Sequence, residues 1–342
     1  MRCHIVPPHM LERIATDAGD PALRARARRT LAITSLYSSE RRTLAPTAPE
    51  PNEDFVPNRT IHDAQHREQL PGRTVRTEGA PATGDKVVDQ SYDWLGVTFD
   101  FFEAAYRRNS IDGAGLPLIS TVHYGTNYDN AFWNGEQMVY GDGDGTLFTE
   151  FTGPLDVTGH ELTHGVTQYT AGLEYYGQSG ALNESVSDVF GSLIKQWHLN
   201  QTADQADWLI GAGLLAKGVH GVALRSMKAP GTAYDDPRLG KDPQPAHMDH
   251  YVQTNRDNGG VHINSGIPNH AFYLAATSIG GHAWEKAGRV WYDTLTGGKL
   301  KSDSDFKDFA AATIATATAL YGADGGETRS VREAWDGVGV SP

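Results

Sequence analysis

Residues 160–164 read His-Glu-Leu-Thr-His, and no other stretch limits the chain so sharply. On a helix, residues four apart lie about 400° round and about 6 Å along, so both imidazoles leave the same face. Two neutral imidazoles on one face supply two of the roughly three protein ligands that a catalytic zinc takes, leaving a position for water. Glu161 stands beside the pair and can reach such a water without ligating the metal. Asp156 suits the start of this helix and Gly172 its end, so a helix is expected over 156–170.

Two further segments fit that chemistry. In Asn183-Glu184-Ser185-Val186-Ser187-Asp188, Glu184 and Asp188 are again i, i+4 and present two carboxylates to one side. One can ligate zinc; the other can accept an imidazole N–H and so fix its tautomer. Further on, Asp257-Asn258-Gly259-Gly260-Val261-His262 places a histidine five residues after an aspartate, in a Gly-rich entry to a helix. That spacing suits a carboxylate-oriented imidazole.

With 342 residues the chain can form two domains. A formal charge of −13 excludes a basic surface for nucleic acid or anionic membrane. Cys3 is the single cysteine, which rules out an intrachain disulfide. The start, MRCHIVPPHMLERI, lacks the apolar run of about 7–15 residues that a signal peptide needs. No stretch offers the roughly 20 apolar residues of a membrane span. The protein is expected to be cytoplasmic or secreted by a non-classical route, and monomeric.

Residues 10–44 read as helical (Leu11, Ile14, Ala18, Ala22, Ala25, Leu31, Ile33), and 45–59, with Pro46, Pro49, Pro51 and Pro57, as a linker. A short helical piece and a Pro-rich linker ahead of the main body suit a removable pro-segment, with a flexible tail as the alternative. A helix is expected near 89–109, followed by the strand-like runs LISTVHY and QMVYGDG. Beyond 156, helices are expected at 182–199, 264–279, 304–320 and 330–336. The fold class is therefore α+β. Residues 1–50 form the pro-segment and linker, 51–155 a β-rich half, and 156–342 an α-helical half with the zinc helix at the seam.

HELTH, then GALNES with SD, then DNGGVHINSG closely resembles the thermolysin family of metalloendopeptidases, in order and spacing. Asn130-Ala131-Phe132-Trp133-Asn134-Gly135 and Ala171-Gly172-Leu173-Glu174-Tyr175 extend the match over about residues 90–340. The N-terminus, Met-Arg-Cys-His-Ile-Val-Pro-Pro-His-Met-Leu, looks like the protealysin branch with short precursors. Thr167 and Thr170 stand where another metallopeptidase class would carry Gly and His, which excludes that class.

The resemblance implies roles. His160, His164 and Glu184 match the ligands of one catalytic zinc, and Glu161 the general base. Tyr175 and His262 match donors to the developing oxyanion, Asp257 the group orienting His262, and Asp188 the partner behind His160. Asn130 and the Ala131 backbone match the edge that holds an extended peptide. Val157, Ile210, Leu214 and Leu224 match an apolar pocket, with Arg225 at its rim, which implies cleavage before Leu, Ile, Val or Phe. The partners expected are peptide or protein substrates and the chain's own pro-segment as inhibitor, with no nucleic acid and no membrane. A non-peptide zinc hydrolase and an inactive zinc-binding protein are the competing classes. Asn130-Ala131 speaks against the first, and the presence of Glu161, Tyr175 and His262 against the second.

Two expectations are more specific. The pro-segment should block the cleft, either with Pro7-Pro8 lying in it, the favoured reading, or with Cys3 ligating the zinc. The family's double calcium site beside the zinc helix should be absent. Of its five aligned positions only Asp156 and Asp207 keep carboxylates, the others being Lys195, Leu209 and Ala212. Calcium wants about six to eight oxygens, and the Lys195 ammonium can instead join Asp156 to Asp207.

Overall fold

A computed structural model describes residues 3–40 and 55–341. Its architecture is α+β: a mixed six-stranded sheet in the N-terminal part and a mostly helical C-terminal part. The predicted linker lies outside the described residues, apart from 55–59.

The pro-segment contributes β1 (Cys3–His4), α1 (Pro8–Asp17) and α2 (Pro21–Glu40). The single helix expected over 10–44 is two. Pro21 cannot continue a helix through its own N–H and restricts the residue before it, so the chain breaks across Ala18–Asp20. Pro8 starts α1, where a missing N–H costs nothing, and Met10, Leu11 and Ile14 bury its inner face.

The sheet continues with β2 (Arg59–Asp63), β3 (Arg73–Thr77), β4 (Leu118–Val122), β5 (Ala131–Trp133) and β6 (Met138–Tyr140). Its order is β1-β5-β6-β4-β2-β3. Strands β2, β4 and β6 run parallel, whereas β5 is antiparallel to β6. The pro-segment thus adds the edge strand: Cys3 pairs with Trp133 and His4 with Phe132, antiparallel. Between β3 and β4 runs α3 (Lys86–Tyr106), capped by the Asp85 carboxylate, which accepts from the backbone N–H groups of Val87 and Val88.

The seam is built by α4 (Leu155–Gln168) and α5 (Gly177–His198). Every residue of α4 from Leu155 to Thr167 is buried, as a helix in the middle of a core must be. The two helices cross closely at glycines: a Cβ on Gly191 would lie 2.6 Å from the Asp156 carbonyl oxygen, and one on Gly159 2.8 Å from Ile194. Short ribbons follow, pairing β7 (Leu209–Ile210) with β8 (Arg225–Ser226) and β9 (Asp235–Asp236) with β10 (Gly240–Lys241). Helices α6 (Asp257–Asn264), α7 (Gly266–Ile279), α8 (Ala287–Thr296), α9 (Phe306–Tyr321) and α10 (Gly326–Gly337) complete the chain. Of these, α8 was not expected from the sequence.

Candidate active site

Helix α4 presents His160 and His164 one turn apart, and α5 brings Glu184 across from them. The two Nε2 atoms are 3.0 Å apart, and each lies 3.5 Å from an oxygen of Glu184. All three side chains are buried, and their donor atoms lie within 4.8 Å of one another. The outer nitrogens explain this convergence. His160 Nδ1 is 2.7 Å from Asp188 Oδ1, and His164 Nδ1 is 2.8 Å from Asn183 Oδ1. Those partners are acceptors, so each Nδ1 carries the proton and both Nε2 atoms face each other as lone pairs. Glu184 Oε2 is buried with no hydrogen-bond partner among the described residues. Two facing lone pairs and a buried carboxylate oxygen fit a divalent cation, and two nitrogens with one oxygen are a zinc-type donor set.

Around this centre the predicted residues converge. Glu161 is buried one position beyond His160 and accepts a hydrogen bond from the Trp133 backbone N–H at 2.9 Å, which aims it toward the sheet edge. Tyr175 donates its hydroxyl proton to Glu184 and lies 3.2 Å from His262 Nε2. The Asp257–Gly260 loop explains how His262 is aimed. Asp257, Asn258, Gly259 and Gly260 all have positive φ, and the turn folds the Asp257 carboxylate back onto His262. One oxygen accepts the His262 backbone N–H at 2.9 Å and the other meets Nδ1 at 2.6 Å. Burial disfavours charge on His262, but Asp257 and Glu184 outweigh it and raise its pKa to about 9.

Asp188 joins two functions. Besides His160, it takes a bidentate pair from Arg225 Nε and Nη2, both at 2.8 Å. Its burial works against charge, yet Arg225 and His160 hold it well below the usual carboxylate range. With the pro-segment in the cleft, Arg225 is 1% exposed. Val157, Ile210, Leu214 and Leu224 are buried in the same apolar cluster as Ile5.

The cleft holds the pro-segment. Ile5 N–H donates to the Ala131 carbonyl at 3.2 Å, and Val6 N–H to Asn130 Oδ1 at 3.0 Å. Arg225 Nη1 donates to the Ile5 carbonyl at 3.0 Å, and the His4 carbonyl oxygen lies 3.1 Å from His262 Nε2. The place given to Pro7-Pro8 therefore belongs to His4, Ile5 and Val6. Pro7 instead caps α1 and Pro8 begins it, since proline has no N–H to give the strand ladder. For Cys3 only the backbone pairing is described. Sequence reasoning also missed Asn183 and Ser187 behind His164. Asn183 directly precedes Glu184 and Ser187 follows one turn on, so the helical spacing carried a signal.

Comparison with known proteins shows the family. The family described as "Thermolysin metallopeptidase, catalytic domain" matches residues 49–168, its "alpha-helical domain" 171–340, and "Protealysin propeptide" 3–32. An extracellular metalloprotease of Pectobacterium carotovorum is 55% identical over 99% of this chain and 96% of its own. A thermolysin of Alicyclobacillus acidocaldarius is 42% identical over 82% of this chain and 50% of its own. The solved precursor of protealysin, a metalloproteinase from Serratia proteamaculans, superposes with a TM-score of 0.91 at 55% identity, covering 99% of this chain and all of that one.

Proposed function

The chain belongs to the thermolysin family as a zinc metalloendopeptidase made with a propeptide, and from that premise we propose that it cuts before bulky apolar residues and matures by cutting itself. Residues 1–50 serve as pro-segment and linker, ahead of the β-rich and helical halves.

The observation that carries the specificity is the way His4–Val6 is held. Ala131 and Asn130 bond the backbone as a neighbouring strand would, and Arg225 takes the carbonyl of Ile5. Ile5 is fully buried, in the same apolar core that holds Val157, Ile210, Leu214 and Leu224, which supports selection by apolar burial at this position. A substrate in the same register places the carbonyl of its preceding residue at His262, as His4 does.

His160, His164 and Glu184 would hold the zinc, which supplies Lewis acidity and makes water a nucleophile near neutral pH. Glu161 takes the proton of the attacking water on its carboxylate and passes it to the leaving nitrogen. The Trp133 N–H keeps that carboxylate oriented. His262, protonated beside Asp257, donates from Nε2 to the oxygen of the reacting carbonyl, with Tyr175 adjacent. Arg225 and Asp188 couple substrate position to ligand orientation, because one carboxylate grips both Arg225 and His160.

Lys195 supports the absence of the double calcium site. Its ammonium reaches Asp156 at 2.7 Å, Asp207 at 2.9 Å and the Leu209 carbonyl at 2.8 Å, between helices α4 and α5 and the loop into β7. The Pectobacterium relative is named extracellular, and we place this enzyme's action outside the cell as well.

The test is digestion of casein and a peptide library by the matured protein, with new N-termini read by mass spectrometry. Leu, Ile, Val and Phe should dominate those termini, and a zinc chelator should stop the reaction. No peptide cleavage, or termini without apolar enrichment, would overturn the reading.

A further inference from the structure

Three parallel strands end side by side, and each is followed by a potential metal donor. His66 comes shortly after β2, His123 directly after β4, and Asp142 just beyond β6. Backbone bonds continue past the strand ends: Ala64 N–H to Val122 O at 3.0 Å, His66 N–H to His123 O at 2.8 Å, and Tyr124 N–H to Tyr140 O at 3.1 Å. Both histidines are held at positive φ, 59° and 52°, an uncommon conformation outside glycine. The space beyond the carboxyl ends of parallel strands is a recurrent ligand position in open sheets.

The side chains then meet. His123 Nδ1 lies 2.9 and 3.0 Å from the two Asp142 oxygens, and His66 Nδ1 lies 3.4 Å from Asp142 Oδ2. One donor atom from each residue falls within a common 4.8 Å. A tetrahedral ion with ligands at about 2.0–2.1 Å spaces its donors by about 3.3 Å, close to this arrangement. A second observation points the same way. The far nitrogen of His123, Nε2, sits 3.1 Å from Asp85 Oδ2, and Asp85 is itself fixed as the cap of α3. A carboxylate on the outer nitrogen of a histidine is how metal-bound imidazoles are oriented, and Asp188 does the same behind His160.

We infer that His66, His123 and Asp142 form a second metal site, for a divalent ion of the zinc class, independent of the catalytic centre. Two imidazoles among three donors favour zinc-like ions over calcium or magnesium. The Asp142 and nearby Asp85 carboxylates give the site the negative charge a dication needs. His66 is well exposed, so the ion enters from solvent and keeps water on its open side.

The experiment uses the full-length Glu161→Gln chain, which cannot cut itself, with and without His66→Ala. Each is dialysed to equilibrium against zinc, and bound metal is counted by elemental analysis. Cobalt binding is followed by its visible absorption as a second readout. The Glu161→Gln chain should hold one zinc more than its His66→Ala derivative, which keeps the zinc at His160, His164 and Glu184. Asp142→Asn should lose the same equivalent, and cobalt should show a second set of bands that His66→Ala removes. Equal zinc content in all three chains, or a second equivalent that survives both substitutions, would refute the site.

Discussion

The carbonyl oxygen of His4 lies 3.1 Å from Nε2 of His262, where a substrate's reacting carbonyl would lie in the proposed mechanism. In that mechanism, latency would rest on the buried Ile5 and on the strand it continues. Ile5→Asp puts an unpaired carboxylate into a fully buried position, at a cost of about 3 kcal/mol or more, or about a hundredfold in docking. The Ile5→Asp precursor should therefore cleave a reporter peptide without a lag. Pro8→Ala alters only the first residue of α1 and should stay latent. A latent Ile5→Asp together with an active Pro8→Ala would return the blocking role to the prolines.

Glu161→Gln tests the base. Gln keeps the volume and the acceptor for the Trp133 N–H but cannot take up a proton. Zinc at the His160, His164 and Glu184 site should be retained while peptidase activity falls at least a hundredfold, within the range for general-base loss of about 10²–10⁴. The precursor should also remain uncut on storage. Metal analysis and a casein assay on one preparation check both, and a zinc-loaded variant that retains more than a few per cent of activity would remove Glu161 from the role.

Acid should loosen the pro-segment through His9. Burial lowers its pKa from 6.5 to about 4, with His262 and Arg225 adding to the shift and Asp257 opposing it. The Tyr234 hydroxyl is 3.1 Å from its Nε2, and Glu12 and Arg256 line the same cavity. The docked ring resists protonation and a released ring does not. Docking is therefore strongest above pH 6.5 and weakens as pH falls from 6.5 toward 4, by up to about 2 kcal/mol at pH 5. Hydrogen exchange of the α1 amides in the Glu161→Gln precursor should accelerate from pH 7 to pH 5, after correction for intrinsic rates. His9→Gln should flatten that trend; an equal trend in both chains would assign it elsewhere.

The candidate zinc centre was legible because the residues proposed as its ligands lie on helices, where i, i+4 spacing decides which side chains share a face. His160 with His164, and Glu184 with Asp188, needed no tertiary knowledge. The Asp257–His262 pair was legible for a related reason: a run of Asn-Gly-Gly permits the positive φ values that fold one onto the other. The cleft occupant was not. A two-residue strand has no periodicity, and Cys3–His4 is defined only by partners more than a hundred residues away. Nor does a side-chain pattern reveal that Glu161 takes a backbone N–H from Trp133. The break between α1 and α2 was readable at Gly19 and Pro21, but the apolar spacing on either side masked it.

Lys195 yields the last prediction. Its ammonium has three protons and finds three acceptors: Asp156 Oδ2, Asp207 Oδ1 and the Leu209 carbonyl oxygen. Burial disfavours the charge, but Asp156 and then Asp207 raise the pKa above its ordinary value, so the link is charged at neutral pH. Asp156 is 1% exposed and, among the described residues, keeps only the Gly211 N–H if the lysine is removed. Breaking one side of a buried pair costs about 3–5 kcal/mol. Because Asp207 is 46% exposed and can turn to water, the low end, about 3 kcal/mol, is expected for Lys195→Ala. Its melting temperature should fall by several degrees. The wild-type chain, kept zinc-saturated, should melt at the same temperature with millimolar calcium or with a calcium-selective chelator. A calcium-dependent rise in the wild type, or an unchanged melting point in Lys195→Ala, would show that the lysine does not replace the ions.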